Sequence, residues 1–525
     1  MKATDTYPNE ITSLFKLVER SKNLFSARPY MIATEPGMGD VTFQDVYDFT
    51  VKFDDYLTEQ GVSRGQSVAT VFHNSTLMAL FFVSTIAAKR VFVPLNPKMG
   101  EGEIAHICNL TDPVLTLYAS EFGSRVEAVE KTGKRIAVAD EVEFYKMIMA
   151  RPMPGKTDLA QSSDADMDLT SEIVFTSGST GLPKGAELTH RGLLINSFGL
   201  AITFEFDENS RFLTACPLFH NSGQLFSTLA ALWSGGMHVS VRSDLAMIKF
   251  WHLCDTYKLQ WALVMNAFLS LLVQRPEKPE QGTVTGILSG GSKLKQDLVD
   301  AFEEKFSVPV YQCFGLTETT SFSTSETPSR TLASRGSAGK PLPACQIRIV
   351  KDGVEVPRGE EGEILIRGEH LFKGYIKQPD ITAEKLIDGW LHTGDLGRID
   401  DENNVFIIDR IDSMIHVGGE NIYPSEIENL SPLLTDVEDV IVTAIPHQVL
   451  GSELVFVYKA QDGKTVDPGS WNSIFSENLS TFKIPKRRVS VEELGMDAIP
   501  RAANGKLLRG KIKHAVLEKF APNAV

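Results

Sequence analysis

The chain has 525 residues, 42% of them hydrophobic, and a formal charge of −15 at pH 7 from 67 acidic against 52 basic side chains. That length can bury more than one core and so suggests more than one domain, while the acidic balance argues against general binding to nucleic acid or to an anionic membrane surface. The five cysteines (Cys108, Cys216, Cys254, Cys313, Cys345) are odd in number and lack metal-ligand spacing, which fits reduced thiols in a cytosol better than a disulfide framework.

Met1 to Pro8 lacks the apolar core of a secretion signal. Further on, the short β-rich runs Ser67 to Phe72 and Arg90 to Pro94 bracket the apolar run Leu77 to Ala88, which is too short to cross a bilayer and reads as a core helix. This alternation predicts an α/β fold with layered, largely parallel sheets. Glu172 to Phe175 then reads as a short buried strand that delivers the chain into Thr176-Ser-Gly-Ser-Thr-Gly-Leu-Pro-Lys-Gly185. In that loop Gly178, Gly181 and Gly185 allow amides to approach an anion, Thr176, Ser177, Ser179 and Thr180 add hydroxyl donors, and Lys184 adds a mobile cation. It is a polyphosphate cradle by composition, but not a P-loop, because glycine rather than serine or threonine follows the lysine. A solvated turn is the competing reading.

Phe219-His-Asn-Ser-Gly-Gln224 precedes an apolar helix over Leu225 to Trp233. Between Ile347 and Arg367 the pattern changes to strand, Lys-Asp-Gly turn and strand, which predicts a β-hairpin-rich subdomain. The strand Asn404 to Ile408 is followed by the best domain boundary, near Arg410 to Asp412. The expected division is 1–410, a large N-terminal domain of layered α/β subdomains, and 411–525, a small C-terminal α+β domain. The final Ala-Pro-Asn-Ala-Val525 is not a peroxisomal address, so a cytoplasmic, non-integral-membrane protein is expected.

The loop at 176–185 resembles the phosphate-binding signature of the adenylate-forming superfamily, which includes acyl- and aryl-CoA synthetases, peptide-synthetase adenylation domains and firefly luciferase. Further motifs of that superfamily recur in order: Tyr311-Gln-Cys-Phe-Gly-Leu-Thr-Glu-Thr319, Gly389-Trp-Leu-His-Thr-Gly-Asp395, Asp409-Arg-Ile-Asp412, Gly418-Gly-Glu-Asn-Ile-Tyr-Pro-Ser-Glu-Ile-Glu428 and Pro500-Arg-Ala-Ala-Asn-Gly-Lys506. The resemblance implies a ligase that uses ATP and Mg²⁺ to turn a carboxylic acid into acyl-AMP and pyrophosphate, then transfers the acyl group to CoA. A stand-alone enzyme loading an acyl or peptidyl carrier protein is the alternative. No carrier domain is expected in Leu507 to Val525, which is too short for one.

What it implies for individual residues follows the matching motifs. The 176–185 loop would hold the β- and γ-phosphates, Glu318 would bind the Mg²⁺, and Thr317 would contact phosphate or acyl phosphate. Phe314 would lie against adenine, with Gly290, Gly291 and Ser292 on the other side; burial in the core is its other reading. Asp395 and Arg410 would clamp the ribose. Lys506 would bridge the acyl carboxylate and α-phosphate in the first step, although the spacer Glu492 to Ile499 before it is longer than usual. Asp412 would be the hinge about which the C-terminal domain rotates, bringing Gly418, Gly419 and Glu420 to the thiol channel. Lys483, Lys486 and Arg487 form a basic patch in an acidic chain, open either to CoA phosphates or simply to solvent.

His220 would stand by the acyl carboxylate, and Asn221, Gln224, Leu225, Thr228 and Met265 would line the acyl pocket. Pro217 to Trp233 contains no acidic residue to pair a substrate ammonium, which favours an uncharged fatty or aryl tail over an amino acid. Asn221 after the histidine also resembles activators of hydroxyaryl acids.

Overall fold

The computed structural model describes residues 7–155, 157–176, 183–291, 294–331, 334–417, 420–447, 450–501 and 507–521. Apolar strands buried on both faces favour parallel sheets covered by helices, and two such sheets dominate the first four hundred residues. In the first, Val310–Phe314, Gly286–Gly290, Trp261–Met265, Arg211–Thr214, Met237–Ser240 and Pro29–Met31 lie side by side in parallel. In the second, Thr170–Thr176, Val91–Leu95, Ser67–Val71, Leu115–Ala119 and Lys134–Val138 do the same, and Lys184–Thr189 folds back antiparallel on Thr170–Thr176.

The predicted core helix is Thr76–Ala87, with every residue buried and Ser75 accepting from the Met78 amide at 3.0 Å as its N-cap. Its Phe81 ring meets Phe53, Phe72 and Phe144. Truncating so enclosed an aromatic typically costs about 3–5 kcal/mol.

The hairpin-rich reading of 347–367 holds: Cys345–Lys351, Gly362–Gly368, Trp390–Ile399 and Val405–Arg410 form successive antiparallel pairs. Beyond them Val437–His447 pairs antiparallel with Gly451–Ala460, and Arg487–Ser490 adds in parallel. The helix Arg509–Phe520 buries Ile512 and Val516 against Ile441, Val455 and Val457 of this sheet. Among the described residues, no buried apolar cluster mixes residues before 410 with residues after it. Polar contacts join the two sides. Lys295 Nζ donates to Ser431 Oγ at 2.6 Å and to the Glu428 carbonyl at 3.3 Å, and the Ser425 amide donates to Asp409 Oδ2 at 3.1 Å.

One element departs from the α-helix expected over Leu225 to Trp233. Gln224–Leu229 is a π-helical turn, and only Ala230–Ser234 is α-helical. A run buried on every side, its polar Ser227 and Thr228 included, gives no exposed face whose period could distinguish the two windings, and π turns recur at functional sites.

Candidate active site

In open parallel sheets ligands bind beyond the carboxyl ends of the strands, and this is where the predicted residues gather. Arg211–Thr214 leads to His220 and Asn221, Trp261–Met265 ends at Met265, Gly286–Gly290 leads into Gly291, and Val310–Phe314 leads to Thr317 and Glu318. Met265 pairs in register with Gly290. A Cβ on Gly291 would lie 2.3 Å from Met265 Cε, and its φ of +86° favours glycine in any case. The rim is therefore closed tightly around small residues. Phe314 is half-buried and packs against the hairpin subdomain.

The chain after Phe314 is under backbone constraint. A Cβ on Gly315 would fall 1.6 Å from the Ser321 carbonyl oxygen, and Thr320 and Ser321 have φ of 49° and 88°. Side chains in that region are strained unless their surroundings fix them; here the Thr320 hydroxyl donates to the His370 carbonyl at 2.7 Å.

Thr176 and Lys184 are paired across the two antiparallel strands that flank the phosphate-loop motif. Ser177, Gly178, Ser179, Thr180 and Gly181 lie outside the described residues. Lys184 Nζ stands 5.7 Å from the centre of the Tyr375 ring, and the Tyr375 hydroxyl donates to Glu318 Oε1 at 2.5 Å. Burial, with Glu318 beside it, raises the Tyr375 phenol far above its ordinary range, so it stays a donor; Arg410 acts on the same hydroxyl in the opposite sense. Tyr375 thus links Lys184 and Glu318 through one side chain. Sequence reading missed it, since nothing near Tyr375 in the chain signals a partner 57 residues away.

Asp395 and Arg410 face each other on neighbouring strands, with Arg410 Nη1 donating to Asp395 Oδ1 at 3.0 Å and to the Thr393 carbonyl at 2.8 Å. Asp395 is nearly enclosed.

Asn74 holds the loop that presents His220: its amide donates to the Cys216 carbonyl at 2.8 Å, and its oxygen accepts from the Leu218 amide at 2.7 Å. This anchor was also invisible to the sequence. His220 sits edge-near Phe219, and desolvation lowers its imidazole to about 4, so it is neutral at neutral pH. Asn221, Gln224, Leu225 and Thr228 are all buried along the helix that follows. Gln224 Nε2 donates to Glu172 Oε1 at 2.6 Å and to the Leu218 carbonyl at 2.8 Å. A carboxylate from outside 217–233 therefore reaches the predicted pocket helix.

The C-terminal candidates fall unevenly. Ser292, Gly418, Gly419 and Lys506 lie outside the described residues. Next to Lys506, Arg501 and Leu507 form an antiparallel bridge. Asp412 lies in the 3₁₀ turn Ile411–Ser413. Of the basic patch, Lys483 pairs with Glu426 and Arg487 with Glu453 at 3.1 Å, while Lys486 is exposed.

Mg²⁺ is usually held by one or two carboxylates together with substrate phosphates. Glu318, a half-buried carboxylate across Tyr375 from Lys184, fits such a nucleotide-borne ion. No group of three or more His, Cys, Asp or Glu suited to a resident metal occurs among the described residues. Likewise no helix there is long and apolar enough to cross a membrane.

Comparison with known proteins agrees with this geometry. The AMP-binding enzyme family model matches residues 18–376. A 2-succinylbenzoate–CoA ligase of Geobacillus sp. (strain WCH70) is 30% identical over 498 residues, covering 93% of this chain and 95% of that protein. One from Bacillus cereus (strain ATCC 14579) is 29% identical over 479 residues, covering 91% and 94%. Among solved structures, the o-succinylbenzoate CoA synthetase of Bacillus subtilis in complex with the acyl-adenylate intermediate OSB-AMP superposes with a TM-score of 0.82 at 26% identity, covering 97% of this chain and 98% of that one. ATP-bound MatB from Rhodopseudomonas palustris, at 24% identity, shares the fold with a TM-score of 0.85 over 97% and 99% of the two chains.

Proposed function

Since this chain belongs to the AMP-binding enzyme family, in the acyl- and aryl-CoA synthetase branch of the adenylate-forming superfamily, and is an AMP-forming acid–thiol ligase, we propose that it activates an aryl or fatty acid with MgATP and transfers the acyl group to CoA in the cytoplasm. The observation that carries the assignment of the site is Tyr375, whose ring lies beside Lys184 and whose hydroxyl holds Glu318, just beyond the strand that ends at Phe314. The relatives are named for an aryl acid, which favours an aryl acid here over a fatty one.

In the first step a carboxylate oxygen attacks the α-phosphorus and the bond to pyrophosphate breaks. Both reactants are anionic and so is the protein, so cations at the site have to offset the repulsion. Lys184 and the 176–185 loop would receive the outer phosphates, Glu318 the Mg²⁺, Asp395 and Arg410 the ribose, and Lys506 the reacting oxygens. Neutral His220 would stand beside the acyl carbonyl without adding charge.

In the second step the CoA sulfur attacks the acyl carbon, the bond to AMP breaks, and the thiol proton leaves to solvent. We place the division of labour at 1–410 and 411–525, with Asp412 as pivot. Gly418 and Gly419 would then border the thiol channel, and exposed Lys486 is the residue of the basic patch that we expect to meet a CoA phosphate.

The direct test is acid-dependent pyrophosphate release over a carboxylic-acid panel, with and without CoA. The expected result is exchange with an aryl or fatty acid alone and net AMP formation only when CoA is present. Exchange that is never coupled to CoA would transfer the second step to a carrier protein.

A further inference from the structure

The helix after His220 carries buried polar atoms that neither half-reaction uses. Among the described residues, Asn221 Nδ2, Gln224 Oε1, Thr228 Oγ1 and Glu172 Oε2 have no hydrogen-bond partner, and none of the four residues is more than 5% exposed. Buried polar atoms are nearly always paired, so four orphans in one neighbourhood call for a partner. Asn221, Gln224 and Thr228 follow at steps of three and four residues and so lie along one side of the helix. Glu172 arrives from the strand Thr170–Thr176 and grips Gln224 at 2.6 Å. The π turn is fixed from elsewhere as well: the Tyr30 hydroxyl donates to the Thr228 carbonyl at 2.9 Å.

We infer that Glu172, Gln224, Asn221 and Thr228 form a subsite for an uncharged hydrogen-bonding group, a hydroxyl, on the tail of the acid. This rests on the ligase reading above and narrows its substrate class. The donor inventory selects the group. Gln224 Oε1 can only accept and Asn221 Nδ2 can only donate, so the ligand group must do both, and a hydroxyl is the smallest that does. An ammonium only donates and a carboxylate only accepts.

Charge points the same way. Burial raises the Glu172 carboxyl to about 8, so it is protonated and neutral at neutral pH. Its neighbours across the ladder, Phe92 and Leu188, and its partner Gln224 are uncharged. An ammonium tail would require two charges to be taken out of water, its own and that of an ionised Glu172. A second carboxylate, as 2-succinylbenzoate carries, would meet an acid with no cation beside it.

The test uses the full chain with MgATP and CoA, and follows thioester formation from aryl acids of several lengths, each as its unsubstituted, hydroxy, aminomethyl and carboxy form. The hydroxy form is expected to exceed the unsubstituted one by at least about tenfold in kcat/KM, chiefly through KM, because a site built around a hydroxyl leaves its polar atoms unpaired without it. In Glu172→Ala and Gln224→Met that ratio is expected to fall to within about twofold, whereas Glu172→Gln, which keeps an acceptor and a donor, retains it. If Glu172→Ala does not fold, Gln224→Met decides by the same ratio.

An unsubstituted, aminomethyl or carboxy acid proving best in the wild type would overturn the inference. So would a tenfold hydroxy preference that persists in the variants, since an internal water or a purely structural role would then account for the orphaned atoms. If no acid yields AMP, the ligase reading itself fails, and the subsite falls with it.

Discussion

Tyr375 contributes one hydroxyl to the site, and removing it isolates how Glu318 is aimed. The phenol fixes one carboxylate oxygen at 2.5 Å, and the other is the one we propose meets a metal-bearing nucleotide. A hydrogen bond to a charged group is worth roughly 1.5–3 kcal/mol. Tyr375→Phe is therefore expected to lower kcat/KM for MgATP by about tenfold or more, with the KM for the acid unchanged. A matched loss for both substrates would mean that the ring supports the fold rather than the nucleotide. Lys506→Ala is expected to slow adenylate formation by on the order of 10²–10³ while sparing thioester formation from supplied acyl-AMP. Equal losses in the two half-reactions would remove Lys506 from the first step. These two residues differ in how they were found. Lys506 is an expectation from a local motif and lies outside the described residues. Tyr375 and Asn74 act across 57 and 144 residues of chain, and a single sequence does not reveal such pairings.

The strand Thr170–Thr176 shows what a local pattern does and does not reveal. Its apolar run identified it as buried, while most of the hydroxyl- and glycine-rich sequence after it lies outside the described residues. That the carboxyl of Glu172 would meet Gln224 was not legible, because the two residues are 52 apart in the chain. Its carboxyl titrates at about 8 in the folded chain, against an ordinary value near 4.5. The folded state therefore holds a proton that the unfolded state has released, and stability falls as pH rises between those two values. Glu172→Gln has no proton to lose. Its Tm is expected to exceed that of the wild type at about pH 9, by an amount corresponding to on the order of a few kcal/mol, and the gap should shrink toward about pH 5. A gap that does not vary with pH would place the effect in packing instead. The π turn at Gln224–Leu229 was equally hidden, for a segment buried on every side looks alike at either winding.

For the molecule as a whole, the alternation of apolar helical and β-rich runs was enough to anticipate the layered sheets, the strand–turn–strand pattern the hairpin subdomain, and the order of motifs the chemistry. The relation between the two sides of residue 410 was not, since it depends on contacts such as that of Lys295 with Ser431. Two half-reactions in one site require the same atoms to be approached first by a cation, which we propose is Lys506, and then by a thiol, and rotation at Asp412 would supply the exchange. Asp412→Pro, with φ fixed near about −65°, is expected to leave single-turnover acyl-AMP formation intact while thioester synthesis collapses. Normal steady-state synthesis by this variant would place the pivot elsewhere. The central claim is that one chain carries an acid through acyl-AMP to a CoA thioester, and a rapid-quench time course with carboxyl-labelled aryl acid, MgATP and CoA tests it most directly. The account predicts label appearing first in acyl-AMP and then in acyl-CoA, with one AMP formed for each thioester; thioester formed without a preceding adenylate, or adenylate that accumulates untouched by CoA, would contradict it.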